Sequence, residues 1–382
     1  MSELVYICAK HNMLYAEHAK CIMRTSALYK KRKEDRKMKK LFALFLTLIM
    51  TFSLVACGQK EPLPSNEGGS DSPNQKPIEI KVCTIDPASK TTSIILQEMI
   101  DEIREKTDGI IDMQLYTDGQ MMVREEGVEA VISDANVIVV SQPSYLSSYV
   151  PVMGAFSAPY IFPNYETTMA FYNGEYFDGI KKDCADAGIH IICADALTGF
   201  RDIIATTPVK CVDDVRKLSI RIAGLDGLMM LWDNMKANYT VIPFGDVFNA
   251  LQTGAIQGYE NTSDSIVLSK MYEAADLYYC KTAHLLDGYY LICGEGFWQS
   301  IPAEYQSIIN EILGNWGKRV TEELKSFQDE CFAQFDELGV PIIESDEIDL
   351  DDFRSYADPI INAIDGGAEV KAEIDRIASE LQ

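Results

Sequence analysis

A two-lobed α/β fold is what this sequence predicts, on three observations. Strand-like and helix-like segments alternate from Ile78 to Ser141, and a second alternating run begins near Gly199. From Ile78 onward about 305 residues remain, which is long for one core and comfortable for two. Near the C-terminus lies an apolar helical pattern too long for one small lobe.

The elements follow in order. IEIKVCTI (78–85) reads as a strand. SIILQEMIDEIREKT (93–107) reads as an amphipathic helix that Gly109 ends. IIDMQLY (110–116) is the next strand, VREEGVEAVIS (123–133) a helix and ANVIVVS (135–141) a buried strand. TMAFYNGEYFDGIKKDCADAG is helical and IHIICA (189–194) is again a strand. Strands follow around 201–206 and 218–222, then a short helix in VFNALQTGAI. From Pro302 to Gly339 apolar residues recur every three to four positions, which for an unbroken helix gives roughly 50 Å. Either Gly314 and Gly317 break it or it spans both lobes, and spanning is the favoured expectation.

The N-terminal part is set apart from this body. Met38 to Cys57, MKKLFALFLTLIMTFSLVAC, has a basic start and an apolar run too short to span a membrane, as a secretory signal does. Ala56-Cys57 at its end resembles a bacterial lipobox, which would make Cys57 a lipid-modified N-terminus; the alternative is a plain signal peptide. Residues 1–37 are either an upstream over-extension before a start at Met38 or a long n-region. GQKEPLPSNEGGSDSPNQKP (58–77) has the composition of a flexible tether. The expected division is therefore 38–56 signal peptide and 57–77 lipidated cysteine and tether. One lobe is formed by 78–198 with 288–325, and the other by 199–287 with 326–382.

Charge narrows the partners. The chain has 58 acidic against 34 basic residues, and the surplus grows when the basic leader is set aside. Such a field repels phosphate backbones and anionic bilayers, so nucleic acid is excluded and membrane contact is expected only through the anchor. Seven cysteines follow Cys57, an odd number without a C-x-x-C spacing, so buried free thiols are expected, with one bridge left open. His190 and His284 are too few for a metal-ligand pattern, and neither metal nor cofactor is expected. No G-x-S-x-G, H-E-x-x-H, G-x-x-x-x-G-K-[ST] or G-x-G-x-x-G behind a strand occurs, so an enzyme is not expected.

LSIRIAG (218–224) raises the functional question. Its alternation puts Ile220 and Ile222 on one face and Arg221 on the other, where an arginine is either a surface charge or aimed into a cavity. Arg201 lies in TGFRDIIATTP behind Gly199, and PFGDVFNALQTGAIQGYEN (243–261) ends in the polar pair Glu260-Asn261. With these segments the chain resembles the solute-binding proteins of TRAP (tripartite ATP-independent periplasmic) transporters, over nearly all of 78–382. The TGFR…LSIRIAG pair and the ALQTG…YEN block carry that resemblance most specifically. LYTDGQ and YVPVMGAFSAPYIFPN match less closely.

The resemblance implies a type II periplasmic-binding-protein-like fold with a hinge and a lobe-spanning helix. It implies a small carboxylate ligand, with Arg221 gripping its acid group and Arg201 as a second cationic contact. Asn261 would be a polar partner and Phe244 would pack on the ligand body. Gln142 and Tyr145 would come from the first lobe, with His284 and Thr84 as weaker members. It also implies delivery to TRAP membrane permease subunits driven by an ion gradient. Reporting to a sensor kinase, an anchored surface enzyme and a structural lipoprotein are the alternatives. Gln257, Thr262, Met122 and Ile222-Ala223 depart from the family's usual residues, which leaves the particular acid open.

Arginine chemistry agrees. A planar guanidinium donates two parallel hydrogen bonds to a carboxylate, which lysine cannot do. Screening over about 8 Å lets charges in a crevice outweigh a distant acidic surface. A micromolar ligand needs about −8 kcal/mol, and breaking one desolvated charge pair costs about 3–5 kcal/mol.

Overall fold

The structure, a computed structural model, describes residues 76–381. The leader, the lipobox with Cys57 and most of the tether lie outside the described residues. Among the described residues nine strands form one mixed sheet: β1 (Ile78–Cys83), β2 (Ile111–Tyr116), β3 (Val137–Ser141), β4 (Ile189–Ala205), β5 (Ser219–Ile222), β6 (Asn238–Val241), β7 (Gly258–Asn261), β8 (Tyr278–Gly294) and β9 (Ile342–Ile343). Their order is β2-β1-β3-β8-β4-β7-β5-β6, with β9 beside β8. The helices of eight or more residues are α1 (Thr91–Lys106), α2 (Arg124–Ile132), α3 (Tyr165–Tyr172), α4 (Glu175–Asp186), α5 (Asp226–Met235), α6 (Ala303–Leu313), α7 (Trp316–Leu338), α8 (Leu350–Ala363) and α9 (Gly367–Glu380).

Two parallel groups sit at the ends of this sheet. β1 pairs in parallel with β2 and β3, and β5 pairs in parallel with β6 and β7. Between them run β4 and β8, antiparallel to each other from Ile189–Gly294 to Ala205–Tyr278. Each is 17 residues long and serves both lobes, so the expected separate strands at 189–194 and 201–206 are one element. Four register shifts interrupt the pairing, the last between Arg201 and Ile203. Such bulges bend and twist a ladder locally.

Apolar clusters follow the same division. Ile80, Leu96, Val140 and Trp316 belong to one that packs α1 and the start of α7 on the first parallel group. Ile220, Ile222, Leu228 and Trp232 pack α5 on the second, and Tyr259, Tyr279, Cys331 and Phe335 pack its other face on the end of α7. The expected 302–339 helix is broken once, after Leu313, where α6 ends at Gly314. Gly317 does not break it. A Cβ there would stand 2.7 Å from the Ala196 nitrogen, so this glycine lets α7 lie directly on β4. At 23 residues α7 is about 35 Å long and contributes to clusters at both ends of the sheet. Within residues 326–382, α8 packs on α5 and α9 packs on α3, and these two helices also pack on each other. The helix expected across 168–188 is two helices, α3 and α4. No disulfide forms among the described cysteines, and six of the seven are buried. No described helix is long and apolar enough to cross a membrane.

Candidate functional site

The second parallel group ends with Arg221 near the tip of β5, Ile242 just past β6 and Asn261 closing β7. In open α/β sheets the carboxyl ends of the strands are where ligands bind. Ile220 and Ile222 are fully buried in the apolar cluster, so strand alternation sends Arg221 to the opposite face. Arg221 is itself 6% exposed. Its Nε donates to the Ile242 carbonyl at 2.9 Å, and its guanidinium lies 5.9 Å from the centre of the Phe244 ring. Its nearest carboxylate is Glu260, 3.8 Å from Nη1. Neither Nη nitrogen makes a hydrogen bond among the described residues. Burial lowers its pKa to about 10; the charges of Arg201 and Arg124 act the same way and Glu260 opposes them.

Arg201, on β4, is in the opposite state. Its Nε and Nη2 both donate to the Glu260 carboxylate, the latter at 2.9 Å. Nη2 also reaches the Glu260 carbonyl at 3.1 Å, and Nη1 reaches Asp287 Oδ2 at 2.8 Å. Burial alone would lower its pKa, but the two carboxylates raise it above the ordinary value. In this conformation Arg201 is engaged by protein carboxylates and offers a ligand no open face. Glu260 is fully buried and also accepts the Ala223 N–H at 2.6 Å. Burial pushes its pKa up, but Arg201 overrides that and brings it down to about 2.

The remaining expected residues divide. Gln142 joins the Arg201 network, its Nε2 donating to Asp287 Oδ1 at 2.9 Å. Tyr145 is half-buried on the 3₁₀ turn Pro143–Leu146, its phenol pKa raised mainly by burial. Phe244 is half-buried beneath Arg221 and 6.4 Å from the Tyr259 ring. Asn261 Oδ1 accepts the Thr262 N–H at 2.9 Å, and its Nδ2 makes no hydrogen bond among the described residues. His284 is buried against Trp232 with Nδ1 2.8 Å from Thr282 Oγ1, and its Nε2 stands 3.8 Å from Glu260 Oε2, so it borders the Arg201 network from behind. Thr84 is buried and accepts the Asp86 N–H at 3.1 Å.

Three residues that sequence reasoning did not select belong to this region. Glu260 was visible as part of a polar pair, and Asp287 only as a carboxylate in HLLDG. Arg124 gave no signal beyond its place at the start of a predicted helix. Among the described residues no group of His, Cys, Asp or Glu is arranged to hold a metal ion.

Two parallel strand groups joined by a pair of long shared strands make the two-lobed frame of a type II binding-protein-like fold. The chain belongs to family 7 of the bacterial extracellular solute-binding proteins, whose description DctP matches residues 83–365, and it is a TRAP-type solute-binding protein rather than an enzyme. It is 25% identical over 299 residues to a solute-binding protein of Chromohalobacter salexigens, covering 78% of this chain and 87% of that one. It is 24% identical over 268 residues to the C4-dicarboxylate-binding protein DctB of Bacillus subtilis, covering 68% and 74%. Its fold is similar to that of a TRAP periplasmic solute-binding protein from Desulfovibrio salexigens crystallised with diglycerolphosphate. That match has a TM-score of 0.73 and 26% identity, over 80% of this chain and 98% of the other.

Proposed function

We propose that this chain captures a small organic acid outside the cytoplasm, closes its lobes over it near 198 and 287, and delivers it to the permease of a TRAP secondary transporter. The ligand is a carboxylate held by Arg221. Phe244 packs against its body, and Asn261, Gln142 and Tyr145 supply polar contacts. Arg201 reaches the acid only by giving up Asp287, and otherwise keeps Glu260 in place beside Arg221.

The observation that carries this reading is the state of Arg221. A guanidinium at strand ends, hidden from bulk water with one of its three nitrogens engaged, can donate two parallel bonds to an incoming carboxylate. Closure is favoured because contacts from both lobes form only in the closed state.

A thermal-shift screen of the purified protein against carboxylic acids tests it. At least one acid should raise the melting temperature, and Arg221→Ala should weaken its binding about 10²-fold or more. Equal binding by that variant would overturn the assignment. The anchoring part of the proposal, a lipid on Cys57 holding the protein on the outer face of the cytoplasmic membrane, has a separate test. Cys57→Ala should move the protein from the membrane fraction to the soluble one.

A further inference from the structure

Nearly every arginine among the described residues has a carboxylate to itself. Of the eight among the described residues, Arg104, Arg201, Arg216, Arg319, Arg354 and Arg376 each hold one within 3.1 Å. Arg221 keeps its nearest at 3.8 Å. The Arg124 side chain has no ion pair or hydrogen bond among the described residues, although Glu125 and Glu126 follow it directly.

Topology puts this second open arginine opposite the first. β1, β2 and β3 run parallel, and α2 is the crossover from β2 to β3. A helix leaving the end of β2 starts at the carboxyl edge of that sheet, and Arg124 is its first residue. The 3₁₀ turn carrying Tyr145 leaves β3 at the same edge and packs on α2. Arg221 stands on the corresponding edge of the other parallel group. The two charges are near enough to interact: Arg124 acts on both Arg221 and the Tyr145 phenol. Facing guanidinium groups repel, the more so as closure removes water from between them. An anion placed between them reverses that sign.

We propose that Arg124 is the first lobe's grip on the ligand: it closes onto the carboxylate that Arg221 holds, so that the acid is the bridge drawing the lobes together. Without an anion, or with a neutral solute, the two cations hold the cleft open. This rests on the reading that the cleft takes an organic acid. It gives the first lobe a cationic contact that Arg201, on the hinge strand and engaged by two carboxylates, does not provide.

D-galacturonate, succinate and pyruvate are the probes. Each is titrated by calorimetry into the wild type, Arg124→Gln, Arg124→Lys and Arg221→Ala, with compaction on saturation followed by small-angle scattering. Arg124 is exposed and unpaired, so Arg124→Gln should melt like the wild type without ligand. For an acid that binds the wild type, Arg124→Gln should weaken affinity by about tenfold or more and lose the compaction, and Arg124→Lys should keep part of both. If Arg124→Gln binds within about twofold of the wild type and compacts equally while Arg221→Ala loses binding, the Arg124 proposal falls and the carboxylate reading stands. If Arg221→Ala also binds as the wild type does, or none of the three acids binds, both fall.

Discussion

Arg201 and Arg221 lie about twenty residues apart on β4 and β5, and are 7% and 6% exposed. By residue type, strand context and burial they are equivalent. Their hydrogen bonding is not. Arg201 donates to a glutamate carboxylate with two nitrogens, to that residue's carbonyl and to an aspartate, whereas Arg221 donates to one carbonyl. Their pKa values move in opposite directions for that reason, up where carboxylates surround the charge and down where burial is uncompensated. Burial therefore does not mark a binding arginine. Open donor capacity in a buried place does.

The largest expected effect tests that contrast on stability. Arg201→Ala leaves Glu260 and Asp287 without their guanidinium in a buried place, which should cost about 3–5 kcal/mol. Arg221→Ala removes one hydrogen bond to a carbonyl and a contact with Phe244, and should cost no more than about 1.5 kcal/mol. Urea unfolding of both ligand-free variants measures the difference. A larger loss for Arg221→Ala than for Arg201→Ala would mean that the two arginines have been assigned each other's roles.

Much of the fold was legible because apolar spacing is imposed by burial. β1, β2, β3, β5 and the helices α1 and α2 fall within a few residues of their expected places. What was not legible depended on partners distant in sequence. Gly317 looks like Gly314 in the sequence, yet one lets a helix lie on a strand and the other closes a helix; only the β4 backbone under Gly317 separates them. The site divides in the same way. Arg221 could be picked out by its strand position and by resemblance. That Arg201 is engaged required Glu260 and Asp287 to be seen beside it. Arg124 stands out only once the other described arginines, Arg221 apart, have been matched to acids.

A smaller effect sharpens the contrast between neighbours on β4. Asp202, next to Arg201, turns to the other face, where it accepts from Tyr279 Oη and from the Ala283 N–H at 2.7 Å. Burial there raises its pKa to about 6, from an ordinary 3.8, against those two hydrogen bonds. A raised carboxyl pKa contributes stability that is complete below the unfolded value and lost as pH rises through about 6. Glu260, lowered to about 2, contributes stability present above its ordinary value of 4.5 and lost only in acid, so it stays constant at higher pH. Between about pH 8 and pH 5 the wild type should gain roughly 1–1.5 kcal/mol more than Asp202→Asn, read from urea midpoints at the two pH values. An equal pH response in the two proteins would show that Asp202 is as well compensated as Glu260.

The smallest effect concerns Arg124, whose backbone sits at φ 55, with Met122 nearby at φ 40. The left-handed region costs a residue with a Cβ roughly 1–2 kcal/mol, part of which glycine returns as greater freedom in the unfolded chain. Arg124→Gly should therefore raise ligand-free stability by about 0.5–1 kcal/mol while removing the charge. Arg124→Gln removes the charge and keeps the backbone requirement, so it should leave ligand-free stability unchanged. The two variants together separate strain from electrostatics: both lose affinity if the guanidinium grips the acid, but only the glycine variant gains stability. If glycine stabilises nothing, the backbone at 124 is relaxed and the exposed charge alone distinguishes this position from any other helix start.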